Sequence, residues 1–192
     1  MKPISPQRMI VGISGASGIA YGVRTLQVLR KLNIESHLVM TRAAQVTLAH
    51  EMTMKVSEVN ALASVVHKID DMGASVSSGS FQTLGMIVAP CSIRTLSEVA
   101  TGVTSNLLTR AADVVLKERR RLVLLVRETP LHLGHLRSMV QATEMGAIML
   151  PPVPAFYNQP KTIDDIVDHT VGRALDLFGM EAGLVKRWTE VD

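Results

Sequence analysis

Met9-Ile10-Val11-Gly12-Ile13-Ser14-Gly15-Ala16-Ser17-Gly18 is the stretch on which the fold turns. It opens as a short, continuous apolar run, the pattern of a strand buried on both faces in a parallel sheet. Glycines and other small residues follow, and they allow the backbone to come close to a ligand. Residues 19–32 then take up helical spacing, with Val23, Leu26, Val28 and Leu29 apolar and Arg24, Arg30 and Lys31 polar. A strand passing through such a turn into a helix offers the free N–H groups of the helix start to an anion. The glycine spacing, Gly12, Gly15 and Gly18, also occurs in nucleotide-binding dehydrogenases, and it fits a tight turn that holds no ligand.

Outward from this turn, the alternation repeats. Residues 34–40 read as a second strand, and Thr41 as the N-cap of a helix reaching about residue 50. Residues 57–68 carry another helical pattern with Ser57 as its cap. Residues 70–83 have loop character, centred on Ser77-Ser78-Gly79-Ser80. A third strand at 86–89 is broken by Pro90-Cys91-Ser92, with helices expected at 93–100 and 106–118. A fourth strand at 122–126 precedes a helix at 132–145, which Gly146 closes, and a fifth strand covers 147–150. Pro151, Pro152 and Pro154 exclude helix or central strand. Thr162 caps a last helix to residue 178, with Asp164 and Asp165 in its first turn. Five strands alternating with helices describe a doubly wound α/β domain with an open parallel sheet, Rossmann- or flavodoxin-like. The expected division is an arm at 1–8, one domain at 9–179 and a tail at 180–192. In such folds ligands lie beyond the carboxyl ends of the strands. That singles out Gly15-Ala16-Ser17, Thr41, Cys91-Ser92, Arg127-Glu128 and the proline-rich loop as far as Tyr157.

Composition narrows the function. The 192 residues are 47% hydrophobic and 19% charged, enough for a buried core and too apolar for disorder. Only 3% are aromatic, so the core is aliphatic, with 11 methionines filling gaps. A net charge of +3 suits small phosphorylated anions. Nucleic-acid binding asks for a larger basic patch with interleaved aromatics, and the dense run Lys117-Glu118-Arg119-Arg120-Arg121 reads as a solvated helix end. One cysteine, Cys91, excludes a disulfide framework and a cysteine-based zinc cluster, and reads as a small buried residue. The six histidines show no metal-site spacing, so no metal ligands are expected. Residues 1–8 have no signal-peptide core and no apolar run approaches the ~20 residues of a membrane span, which points to the cytoplasm.

Other motifs weigh against a dehydrogenase. The second strand ends in Met40-Thr41-Arg42 where an acidic residue would bind a ribose. Tyr157 and Lys161 have the spacing of a short-chain dehydrogenase pair, but Pro160 between them prevents the shared helix face. Arg127-Glu128, placed just past a strand and before Pro130, reads either as a functional pair or as a surface ion pair. Tyr157 in a rigid loop presents a hydroxyl to an anion. Arg173, mid-helix among Val171, Ala174 and Leu175, reads equally as a snorkelling surface residue.

Taken together, Gly15-Ala16-Ser17-Gly18, Ser78-Gly79-Ser80, Pro90-Cys91-Ser92, residues 110–119 (RAADVVLKER), Arg127-Glu128-Thr129-Pro130 and Pro154-Ala155-Phe156-Tyr157 resemble the UbiX family of flavin prenyltransferases. The resemblance runs from about residue 9 to Trp188, and residues 131–136 look most like the enterobacterial, ubiquinone-pathway members. It implies transfer of a dimethylallyl group from dimethylallyl monophosphate to N5 and C6 of reduced FMN. The product, prenylated FMN, would serve a UbiD-type decarboxylase in ubiquinone synthesis or aromatic acid decarboxylation. It further implies a homo-oligomer, often a dodecamer, and no metal. By the same resemblance Gly15, Ala16, Ser17, Thr41, Ser92, Ile93, Arg94, Thr95 and Arg127 hold the flavin, with Ser17 at its reacting edge. Lys117, Tyr157 and Arg173 hold the isoprenoid phosphate, and Glu51 and Glu128 move protons. Thr41 and Val126 depart from the residues common at those positions, Ser and Pro. The alternatives are an FMN-binding decarboxylase, whose Asn-rich substrate motif is missing here, and a non-catalytic FMN-binding subunit of a decarboxylase.

Overall fold

The computed structural model describes residues 7–185 and 187. Six parallel strands form one sheet: β1 Arg8–Ile13, β2 Glu35–Met40, β3 Val65–His67, β4 Gly85–Cys91, β5 Arg121–Val126 and β6 Ala147–Met149. Their order is β3-β2-β1-β4-β5-β6, and β1 pairs in parallel with both β2 and β4. The chain therefore winds outward in two directions from β1. The loops leaving β1 and β4 diverge, which opens a crevice at their carboxyl ends.

The long strands are buried on both sides, with Ser36 and His37 of β2 the polar exceptions, and the two sides feed separate cores. Met9, Val11, Ile13, Leu38, Met40, Ile87, Ala89, Val123 and Leu125 face helices α1 (Ile19–Lys31), α2 (Arg42–Glu51) and α7 (Ile163–Asp176). The alternate residues Ile10, Val39, Met86, Val88, Leu122, Leu124 and Val126 face α4 (Ile93–Thr101), α5 (Leu107–Lys117) and α6 (Leu133–Glu144). This period-two division is what a strand covered on both faces requires. The caps expected at Thr41 and Thr162 are in place. Thr41 accepts from the Ala44 amide at 3.1 Å, and Thr162 forms a capping box with Asp165.

Two expectations fail. Residues 57–68 are not one helix. Helix α3 is only Val56–Asn60, started by the Lys55 amide donating to Glu58 at 2.6 Å, and the chain then enters the edge strand β3. Val65 and Val66 are β-branched and exposed, and the three-residue strand is held by backbone pairing to β2. A run so short carries no readable period, so a sixth strand went uncounted. Pro90 also does not break the third strand. β4 continues to Cys91 because its ladder to β5 slips between Val88 and Cys91, where Pro90 need not donate. The carbonyl of Pro90 accepts from the Ser14 amide at 3.2 Å instead.

Candidate functional site

The turn after β1 is set by close approach. A Cβ on Gly15 would collide with the Cβ of Ala43 at the start of α2, so only glycine lets these two segments meet. Gly18 has φ 99°, in the left-handed region, and turns the chain into α1. Ser14, fully buried, fastens the turn to the end of β4: its hydroxyl donates to the Pro90 carbonyl at 2.9 Å and accepts from the Ser92 amide at 2.7 Å. Ser92 in turn caps α4, accepting from the Thr95 amide at 3.3 Å, while its own hydroxyl donates to that of Thr95 at 3.1 Å.

These elements enclose a groove of about 450 Å³ beyond the strand ends. Gly15, Thr41, Ser92, Arg94 and Thr95 line it, all expected flavin contacts. Ala16 and Ser17 continue the same turn, and half-buried Ile93 packs onto the α4–α5 core beside it. The sequence does not single out the apolar lining residues Ala43 and Ile69 or the polar ones Asp70, Glu98, Ser105 and Asn106. Glu98 accepts from Arg94 at 2.9 Å and from Ser105 at 2.6 Å. Burial acts to raise its pKa, but bonds from Ser105, Arg94 and Thr109 outweigh it and keep the carboxyl below its ordinary range. The four-residue spacing of Arg94 and Glu98 was the readable signal. Arg42 closes one side of the groove with an exposed ion pair to Asp70, 2.8 Å.

Glu51, the last residue of α2, sits where the sequence placed an anion. Its carboxylate accepts from the Gly18 and Ile19 amides at 2.9 Å each, so the start of α1 is already occupied by a side chain of the protein. Burial pushes the Glu51 pKa upward. The Ser17 hydroxyl, the two amides and the charge of Arg127 push it down further, leaving Glu51 ionised. Ser17 and Glu51 thus meet at the start of α1, within range of the charge of Arg127. The Arg127 amide donates to the Cys91 carbonyl at 3.1 Å, which holds the end of β5 beside the end of β4. Glu128 is exposed next to it, and its carboxylate accepts from the Thr129 amide at 3.0 Å. Cys91 is buried, and burial pushes its thiol pKa well up, as befits a packing residue.

The expected phosphate-binding residues lie elsewhere. Tyr157, on a 3-10 turn at Phe156–Asn158, meets His169 of α7 edge to face, with ring centroids 6.0 Å apart. Arg173, one helical turn beyond His169, donates to Asp176 at 3.0 Å. Lys117 ends α5 and pairs with Glu118 at 2.6 Å, against Gly79. It stands at the amino edge of the sheet, where β5 begins, and α5 and α7 pack on opposite faces. One chain therefore cannot bring Lys117 to Arg173. Arg120 donates to the carbonyls of Gly79 and Phe81 at 2.7 Å each, so the basic run anchors the Ser78-Gly79-Ser80 loop and is not merely solvated.

Comparison with known proteins fits this geometry. The Flavoprotein family model matches residues 2–175. The flavin prenyltransferase UbiX of Escherichia coli K12 is 60% identical over 185 residues, covering 95% of this chain and 98% of its own. The chain belongs to this family. A solved UbiX protein in complex with FMN and dimethylallyl pyrophosphate superposes with a TM-score of 0.95 at 49% identity, over 97% of this chain and 99% of that one. A dodecameric FMN-dependent UbiX-like decarboxylase from Escherichia coli O157:H7 gives 0.93 at 49% identity, over 96% and 100%. Among the described residues no helix is long and apolar enough to cross a membrane.

Proposed function

We propose that this flavin prenyltransferase binds reduced FMN in the switch-point groove and attaches a dimethylallyl group to N5 and C6, releasing phosphate. The observation that carries the reading is the meeting of Gly15, Thr41, Ser92 and Thr95 around one groove, with Ser17 of the same turn bonded to Glu51. Ala16, Ile93 and Arg94 complete the flavin contacts. Carbon 1 of the isoprenoid bonds to N5 as its C–O bond to phosphate breaks. The bond that closes the fourth ring forms between carbon 3 and C6, the alkene taking up a proton at carbon 2 while C6 loses its own. Arg127 also holds the flavin, and Tyr157, Arg173 and Lys117 supply the fixed positive charge and donors that the departing phosphate needs. Glu128, exposed beside Arg127, is positioned to exchange protons with phosphate and solvent. Glu51, ionised and bonded to Ser17, orients that hydroxyl toward the flavin edge.

Because Lys117 lies across the sheet from Arg173, a complete phosphate site takes Lys117 from a second copy, so the working form is a homo-oligomer. The dodecamer of the structural relative is the assembly this predicts, and the exposed Leu133, Leu136 and Val140 of α6 offer an apolar face for it. The isoprenoid donor is dimethylallyl monophosphate, and the prenylated FMN passes to a UbiD-type decarboxylase in the cytoplasm. Anaerobic incubation of the pure chain with reduced FMN and dimethylallyl monophosphate, followed by mass analysis of the released flavin, tests the reading. A flavin heavier by one five-carbon unit is expected. A bound but unmodified flavin would leave only a flavin-binding subunit.

A further inference from the structure

The turn that carries Tyr157 and the helix that carries Arg173 are joined by a residue with no assigned part in the reaction. His169 lies on α7 four residues before Arg173, so the two side chains share a face of the helix. Its Nδ1 stands 2.7 Å from the amide nitrogen of Asn158, the residue after Tyr157. Asn158 donates this bond, so His169 accepts at Nδ1 and carries its proton on Nε2. The same imidazole receives the Tyr157 ring at an interplanar angle of 88°. The 3-10 turn is short, runs into Gln159 at φ 50°, and leaves Tyr157 54% exposed. Burial of the tyrosine itself therefore does little to fix its direction.

We infer that His169 is a positioning residue, which ties the Tyr157 turn to α7 and so sets the spacing between the Tyr157 hydroxyl and the Arg173 guanidinium. This rests on the reading that those two groups hold the isoprenoid phosphate. Two features fit it. Burial, and then the charge of Arg173, lower the pKa of His169, so the neutral imidazole that can accept from Asn158 is the form present at neutral pH. Arg173 is braced at its far side by Asp176, which also takes both terminal nitrogens of Arg187, at 2.6 and 2.8 Å. Asp176 thus holds the guanidinium, and His169 holds the turn that carries the tyrosine.

The test is steady-state kinetics with dimethylallyl monophosphate, alongside FMN affinity. H169F keeps a ring for Tyr157 but removes the acceptor, and N158A removes the donor. Each should raise KM by roughly five- to tenfold, the size expected for one lost hydrogen bond, with kcat and FMN affinity little changed. H169N, which retains an acceptor near the Nδ1 position, should return most of that loss. H169F combined with N158A should cost no more than either alone. Should H169F not fold, N158A, on a surface turn, carries the comparison with H169N. A normal KM in H169F and N158A, while Y157F and R173A raise it, would overturn the positioning role and spare the phosphate site. A normal KM in Y157F and R173A would overturn both.

Discussion

At the switch point the groups facing the groove are backbone turns and short hydroxyls fastened into the core. Along α7 they are long side chains held by other long side chains. Ser14 is buried and bonded on both sides, and Gly15 is wedged against Ala43. Arg173, by contrast, is an exposed guanidinium braced by Asp176, and Tyr157 is half exposed on a three-residue turn. The first region is assembled within one chain, whereas Lys117, proposed for the second, lies on the other face of the sheet from Arg173. A rigid, small-residue cradle suits a planar flavin that must be held in one register. Exposed cations suit a phosphate that arrives on one substrate and leaves as product.

The sharpest way to break this comparison is to remove the cations. R173A and Y157F should each lower prenyl transfer by about 100-fold or more, the usual cost of one donor to a developing anion, and leave FMN affinity unchanged. Loss of flavin binding in either variant would mean that the two regions form one site. Co-assembly refines the point. Neither K117A nor R173A alone should be active. If each phosphate site draws Lys117 and Arg173 from different copies, oligomers formed from an equal mixture should regain about a quarter of the wild-type sites. A site built within one chain would regain none.

The next effect in size belongs to the cradle. G15A places a methyl against that of Ala43, and overpacking of this kind costs about 1–3 kcal/mol, so FMN affinity should fall roughly 10- to 100-fold. The double variant G15A/A43G removes the colliding methyl and should recover most of the loss. Failure to recover would show that the loss does not come from the clash with Ala43. A smaller loss is expected from S14A, which strands the Ser92 amide and frees the β1 turn from β4. A lost buried bond of about 1–2 kcal/mol should lower Tm by roughly 3–6 °C, and flavin affinity should drop with it.

How far the sequence could be read follows the same division. Thr41, Ser92 and Gly15 were legible because each directly follows a strand of the doubly wound pattern, Thr41 also as a helix cap, whereas Thr95 came only with the family resemblance. The fold was legible because strands covered on both faces are continuous apolar runs. β3 was not, since its three residues are defined by pairing with β2 and not by their own pattern. That Glu51, the expected proton carrier, also accepts from the start of α1 shows only in the tertiary packing of α2 against the β1 turn. His169 carried no signal at all, because its partners Asn158 and Tyr157 lie across a loop whose course the prolines do not settle.

Glu51 also offers the finest probe of the cradle. Its pKa is lowered in the fold, so the stability it contributes is present above the ordinary carboxyl value and is lost as pH falls through the lower folded value. E51Q keeps acceptors for the Gly18 and Ile19 amides but removes the charge. The wild-type protein should therefore exceed E51Q by about a few tenths of a kcal/mol near neutral pH, a small margin because the carboxylate is largely solvated. That margin should shrink to nothing on acidification below the carboxyl range. Thermal melts of the flavin-free proteins from pH 7 to pH 3 would follow it. A gap that persists at low pH would assign Glu51 a packing role at the start of α1, and leave the orientation of Ser17 to some other group at the rim.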